Sequence, residues 1–140
     1  MQVRELMNDN VVSISPEENV NTAARLLWRY DLGSLPVCGD GGKLWGIVTD
    51  RDIVLRCVAA ENDPAGTKVR EIMSRGVNTV SPEDDVRQAA QIMAVCRVRR
   101  LPVVEEGKVV GMLSLGDVAR SENCDMEAAM ALSEISGNVR

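Results

Sequence analysis

The chain has 140 residues with a formal net charge of −5, 45% apolar and 26% charged residues, no Phe and no His. That composition is globular rather than disordered, and the negative charge with so few aromatic rings argues against DNA or RNA as a partner. Without histidine, catalysis by a Ser-His or Cys-His pair is excluded.

The N-terminal Met-Gln-Val-Arg-Glu-Leu-Met carries no long apolar run and no cleavage-like site. No signal peptide or membrane span is expected there, and the cytoplasm is the expected compartment. Residues 11–14 predict a short apolar strand, halted by Ser15-Pro16. Asn19 is placed to cap a helix whose apolar face is Val20, Ala23, Ala24 and Leu27, at i, i+3, i+4 and i+7. The small Ala pair lets that helix lie close to a sheet. Residues 35–38 and 44–48 then read as a β-hairpin around the Gly39-Asp40-Gly41-Gly42-Lys43 turn. A helix follows from about Arg51. Residues 62–68, with Asp63-Pro64 and Gly66, read as a linker.

The chain then starts again. Val-Arg-Glu-Leu-Met at 3–7 returns as Val-Arg-Glu-Ile-Met at 69–73, and Ser15-Pro16-Glu17 returns as Ser81-Pro82-Glu83. Laying 3–37 on 69–103 gives 14 identities in 35 positions, where chance gives roughly two, so the chain is an internal duplication. The second copy predicts a strand at 77–80, an Asp85 cap, a helix face of Val86, Ala89, Ala90 and Met93, a hairpin of 101–104 with 109–113, and a helix from Leu115. One residue is lost in the second hairpin turn, which moves the offset from 66 to 65. The tail from Ser121 reads as a helix over 126–135, ending at Gly137, and serves as a packing or dimer element.

The expected organisation is therefore α+β. Two βαββα repeats (1–61 and 69–120) flank a linker (62–68), and a C-terminal tail (121–140) closes the chain. Half of this pair cannot cover both faces of its small sheet, so the halves are expected to pack sheet to sheet in a pseudo-twofold arrangement.

Each second hairpin strand ends in Gly-apolar-apolar-Thr/Ser-x-x-Asp: Gly46-Ile47-Val48-Thr49-Asp50-Arg51-Asp52, and Gly111-Met112-Leu113-Ser114-Leu115-Gly116-Asp117. A Thr or Ser followed by Asp three residues on is ordinary capping chemistry. Two copies at matching places in a duplicated chain point further, because a carboxylate can accept from two vicinal hydroxyls at once. With the repeat, this motif resembles a tandem cystathionine-β-synthase (CBS) domain pair over about 3–120. The resemblance implies a non-catalytic regulatory module, without cofactor, that binds an adenine nucleotide or adenosyl ligand in clefts between the repeats: AMP, ADP or ATP, or else NAD or S-adenosylmethionine.

It further implies that Asp52 and Asp117, with Thr49 and Ser114, hold the ribose. The residues two and three before each hairpin proline hold phosphate: Gly33 and Ser34 in one copy, Arg99 and Arg100 in the other. Val11, Val77, Leu35 and Leu101 would border the adenine. A homodimer formed through the helices and an unidentified effector protein are the implied partners. In an extended segment Arg99 and Arg100 would face opposite sides, so only one would reach a ligand. Because the first copy has no such arginines, the cleft with Ser114, Asp117 and Arg100 is expected to bind phosphate better than the one with Thr49 and Asp52.

Three competing readings carry less. Asp50-Arg51-Asp52 after a strand is similar to the start of haloacid-dehalogenase-like phosphotransferases, but Asp50 becomes Leu115 in the second copy, so Asp50 is expected to be a helix-start residue. The Gly39–Lys43 turn lacks the phosphate-loop spacing. The serious alternative is a ligand-free structural or protein-interaction dimer module. The four cysteines (Cys38, Cys57, Cys96, Cys124) have no C-x-x-C spacing. They are expected as reduced, mostly buried thiols, and zinc would need an unusual ligand set.

Overall fold

The computed structural model describes residues 1–121 and 125–136 of the chain. The polypeptide divides into two compact units whose limits cross the sequence repeats. A central unit comprises Val12–Val77, and a terminal unit joins Met1–Val11 to Asn78–Arg140.

In the central unit, α1 (Val20–Arg29) starts where Asn19 Oδ1 accepts from the Thr22 amide at 2.9 Å. The strands β1 (Ser34–Cys38) and β2 (Leu44–Thr49) form the expected antiparallel hairpin, with Ser34 opposite Thr49. The expected strand at 11–14 is reduced to one parallel bridge. Ile14 donates to the Pro36 carbonyl at 3.0 Å and accepts from the Cys38 amide at 2.9 Å. Pro36, one residue before Val37, and Pro16, two residues after Ile14, have no N–H, which limits how far the pairing can extend. After β2 come α2 (Asp50–Asp52) and, directly continuing it, a π-helical stretch Ile53–Val58. A single turn, α3 (Val69–Ile72), closes the unit.

The terminal unit repeats this plan with a 3-10 turn Val3–Glu5, α4 (Val86–Cys96), β3 (Arg100–Glu105), β4 (Lys108–Ser114) and α5 (Leu115–Ala119). Asp85 Oδ1 caps α4 through the Arg87 amide at 2.9 Å. Val80 makes the single parallel bridge to Val103. The helix α6 (Asp125–Ser136) has no counterpart in the central unit. It packs on α4 and α5, and its Ala131 and Ile135 join the core around Val86, Met93 and Val118. This is the packing role expected of the tail. Ala90 under α6 is buried, whereas the equivalent Ala24 stays half-buried. Gly137, the expected stop, lies outside the described residues.

The two units are built by exchange. The Val-Arg-Glu-Ile-Met segment at 69–73 belongs by sequence to the second repeat, yet Val69, Ile72 and Met73 lie in the core with Leu35, Val37 and Val48. Val69 donates to the Glu18 carbonyl at 2.8 Å and Arg70 to the Pro16 carbonyl at 3.0 Å. The twin segment does the same in the other direction: Val3 donates to Asp84 at 2.8 Å and Arg4 to Pro82 at 3.0 Å. Arg4 pairs with Glu83, and Arg70 with Glu17 at 3.6 Å. A hydrogen bond from Lys68, 2.8 Å away, holds the Glu17 carboxyl below its ordinary range, helped by the charges of Arg70 and Lys68. The segment read as a linker is docked too. The Thr67 hydroxyl donates to the Asp63 carbonyl at 2.8 Å, and the Val20 amide donates to the Thr67 carbonyl at 2.9 Å.

The exchanged segments also pair with the hairpins. Ser74 exchanges two hydrogen bonds with Ile47 (2.8 and 3.0 Å), and Asn8 two with Met112 (both 2.9 Å). This explains the first residue of the Gly-apolar-apolar-Thr/Ser-x-x-Asp motif. A Cβ on Gly46 would stand 2.4 Å from the Ser74 carbonyl oxygen. A Cβ on Gly111 would meet first the Met7 sulfur at 2.7 Å, with the Asn8 carbonyl oxygen at 3.2 Å. A flexible thioether can move aside and a paired backbone carbonyl cannot. Gly46→Ala is therefore expected to destabilise by roughly 2–3 kcal/mol, in the range for overpacking, and Gly111→Ala by clearly less. Urea unfolding midpoints of the two variants check this.

Candidate functional site

The motif residues first serve the fold. Thr49 ends β2 and caps α2: the Asp52 amide donates to Thr49 Oγ1 at 3.0 Å, and the Thr49 amide donates to Asp52 Oδ2 at 3.0 Å. Ser114 and Asp117 repeat the reciprocal box at the start of α5, at 3.0 and 2.9 Å. Each aspartate thus commits one carboxylate oxygen to its own cap and keeps the other, Oδ1, for a different partner. The partners differ. Asp52 is buried, 8% exposed, with Ser74 Oγ at 3.4 Å and Arg56 Nε at 3.8 Å from Oδ1. Asp117 is half-buried, and its Oδ1 accepts from the guanidinium of Arg120.

Arg56 is itself fixed, because it donates to the Ile72 and Met73 carbonyls at 3.1 and 3.2 Å. Asp50 accepts from the Arg51 amide at 2.8 Å on an exposed helix start, as expected for a structural residue.

A cavity of about 730 Å³ opens on the terminal unit. It is lined by Arg99, Arg100 and Ser114, by Leu115, Gly116 and Ala119 of α5, and by Arg120 at the end of that helix. Ala129 and Leu132 of α6 complete it. Both Arg99 and Arg100 line it. Arg99 lies in a bend ahead of β3 rather than in the strand, so the alternation of an extended chain does not apply to it. Its carbonyl accepts from the Leu115 amide at 2.8 Å, as the Gly33 carbonyl does from Asp50 at 3.2 Å. The guanidinium groups of Arg99 and Arg100 make no ion pair with a described residue. Asp117 is not itself part of the described wall; Arg120, which is, donates to its carboxylate.

At the equivalent place in the central unit, Ser34 faces Thr49 across the hairpin, and its buried hydroxyl has no hydrogen-bond partner. A buried hydroxyl left unpaired is unfavourable, so this one is suited to a ligand or water.

The expected adenine contacts need correction. Leu35 and Leu101 are 0% and 1% exposed and lie in the two cores, so they present no surface to a ligand. Both sit mid-hairpin, facing the helix that covers each sheet. Val11 and Val77 are half-buried, and neither is part of the described cavity wall. Sequence reasoning missed Arg120, Ala129 and Leu132. Arg120 is discoverable as a cation three residues after Asp117, one helical turn on. The α6 residues carry no such signal, because the tail has no twin in the first repeat.

Among the described residues Cys38, Cys57 and Cys96 are free thiols. Only Cys57 is fully buried. Partial burial pushes the Cys38 thiol up, against a hydrogen bond with Ser13. Cys124 lies outside the described residues. No group of three or more described His, Cys, Asp or Glu side chains could hold a metal. No described helix is long and apolar enough to cross a membrane.

The capping role carries its own test. Ser114→Ala should lower stability by about 1 kcal/mol with no ligand present, read from urea unfolding.

The family model "CBS domain" matches residues 3–58 and 69–123. The CBS domain-containing protein YhcV of Bacillus subtilis is 37% identical over 134 residues, covering 96% of this chain and 94% of that protein. The crystal structure of Hypoxic Response Protein I with two coordinated zinc ions superposes with a TM-score of 0.80 at 33% identity, covering 86% of this chain and 98% of that one. The CBS domain pair of protein MJ0100, in complex with 5′-methylthioadenosine and S-adenosyl-L-methionine, gives 0.75 at 27% identity, covering 86% and 94%.

Proposed function

The chain belongs to the CBS-domain family, and from that premise we propose that it is a non-catalytic regulatory pair whose terminal-unit cavity binds an adenine nucleotide or adenosyl ligand. The observation that carries the reading is the meeting of Arg99 and Arg100, whose guanidinium groups pair with no described residue, with the sugar-binding candidate Ser114 around one cavity. Its volume of about 730 Å³ is within the range of small-molecule sites, roughly 300–1,000 Å³. The relative MJ0100, bound to two adenosyl compounds, supports the ligand class.

In this reading Arg99 and Arg100 neutralise phosphate. The Asp117 carboxylate accepts from the ribose hydroxyls beside Ser114. Leu115, Ala119, Ala129 and Leu132 give the base an apolar face. Thr49, Asp52, Gly33 and Ser34 form the weaker counterpart in the central unit. It has no arginine at the Gly33-Ser34 position, and its carboxylate is hemmed in by Ser74 and Arg56. The described wall offers no base or activated nucleophile: Ser114 Oγ is engaged as a cap, which supports binding without chemistry.

A ligand seated against α6 prefers the arrangement of α6 that completes its contacts. Binding then shifts the population of that helix, and a partner protein can sense the shift. Exposed apolar side chains on adjoining helices of the central unit suit a homodimer: Trp28, 85% exposed, with Val54, Leu55 and Val58. The free thiols suit a reducing compartment such as the cytoplasm.

A thermal-shift panel of AMP, ADP, ATP, NAD and S-adenosylmethionine tests the reading. A true ligand at 100 times its Kd stabilises by about 2.7 kcal/mol. Asp117→Asn keeps an oxygen for the Ser114 amide but removes the second acceptor, so it should abolish most of the shift, and Asp52→Asn little of it. Equal losses overturn the inequality of the two sites. No shift with any compound overturns the nucleotide reading in favour of a protein-interaction module.

A further inference from the structure

Arg120 lies outside the phosphate and ribose positions considered so far, and its placement is specific to the second repeat. It lines the cavity beside Arg99 and Arg100, yet its guanidinium is turned to Asp117 Oδ1, the one oxygen that the helix cap leaves over. Its side chain is 74% exposed, so the pair is weakly held and easily exchanged. The matching position in the first repeat is Leu55. There the cation near the aspartate is Arg56, which is fastened to two backbone carbonyls. The central unit therefore has an arginine anchored to two backbone carbonyls at its carboxylate, and the terminal unit an exposed one paired with Asp117.

Among the described residues the cavity is lined by three guanidinium groups and no acidic side chain, and Arg120 alone of the three is paired, to Asp117. Among those residues, two positive charges are left uncompensated. A ligand that brings only ribose hydroxyls must displace Arg120 from Asp117 and leave three cations facing one another. A ligand that brings two or more phosphates gives Arg120 a new partner as it leaves the old one.

We infer that Arg120 is the specificity-determining residue of this cavity, covering the ribose acceptor when the site is empty and moving to phosphate when it fills. The cavity then selects nucleoside di- and triphosphates over uncharged or cationic adenosyl compounds. The inference rests on the nucleotide-binding reading above and adds to it the residue that sets ligand choice.

Calorimetric titration of the full chain with adenosine, S-adenosylmethionine, AMP and ATP, without divalent cations, tests it. Wild type should bind ATP tightest. Arg120→Gln should weaken ATP about tenfold or more, as loss of a charged hydrogen bond does. The same variant should leave adenosine unchanged or tighten it by up to about fivefold, because Asp117 is released. Arg120→Lys, with the charge but not the fork, should fall between for ATP.

Equal weakening of adenosine and ATP in Arg120→Gln overturns the inference, since it marks an effect on the shape of the site. Unchanged ATP binding overturns it as well. A wild-type preference for S-adenosylmethionine over ATP overturns the selectivity and leaves ligand binding standing. No binding of any compound removes both.

Discussion

Val69 donates its amide to Glu18, and at the equivalent place Val3 donates its own to Asp84. These two contacts decide which residues share a core. Each begins the docking of one repeat's leading segment onto the Ser-Pro-Glu stretch of the other, so that neither repeat supplies a complete unit from its own sequence. In the central unit the incoming segment buries Val69, Ile72 and Met73. At about 1.5–3 kcal/mol for each fully buried apolar side chain, that burial is comparable with the whole net stability of a small domain, about 5–15 kcal/mol. The duplication is thus a condition of folding as well as a feature of ancestry.

The functional motif grows out of the same constraint. Gly46 leaves no room for a Cβ under the exchanged Ser74 carbonyl, and Gly111 lies under the exchanged Met7 side chain and Asn8. Three residues after the glycine the strand ends and turns into a short helix, and the turn is fixed by a reciprocal cap between Thr49 and Asp52, or Ser114 and Asp117. The cap uses one oxygen of each carboxylate and orients the other. The candidate site is what remains once the backbone has been satisfied. Its character depends on what stands beside the remaining oxygen: Ser74 and a pinned Arg56 in one unit, an exposed Arg120 in the other.

Much of this was legible from the residues. The 3.6 periodicity of Val20, Ala23 and Leu27, the caps at Asn19 and Asp85, and the glycine turns located the helices and hairpins, because those signals are local. The pairing of Thr49 with Asp52 was legible for the same reason. The exchange was not, since hydrophobicity shows that Val69 and Ile72 must be buried but not in which unit. The expected strands at 11–14 and 77–80 shrank to single bridges next to proline. Leu35 and Leu101 looked available for adenine, yet they are the inward positions of the hairpins. Arg99 escaped the alternation rule because it precedes the strand. The α6 wall of the cavity had no twin to announce it, and nothing in its composition separates a helix that lines a site from one that only packs.

Hydrogen exchange on Ile72→Ala tests the exchanged architecture most directly. The substitution removes a buried side chain, for which a loss of about 2–5 kcal/mol is usual. Ile72 belongs to the second repeat by sequence, but the account predicts that amide protection falls across β1 and β2 while β3 and β4 keep theirs. Loss of protection in β3 and β4, with β1 and β2 unaffected, would contradict it.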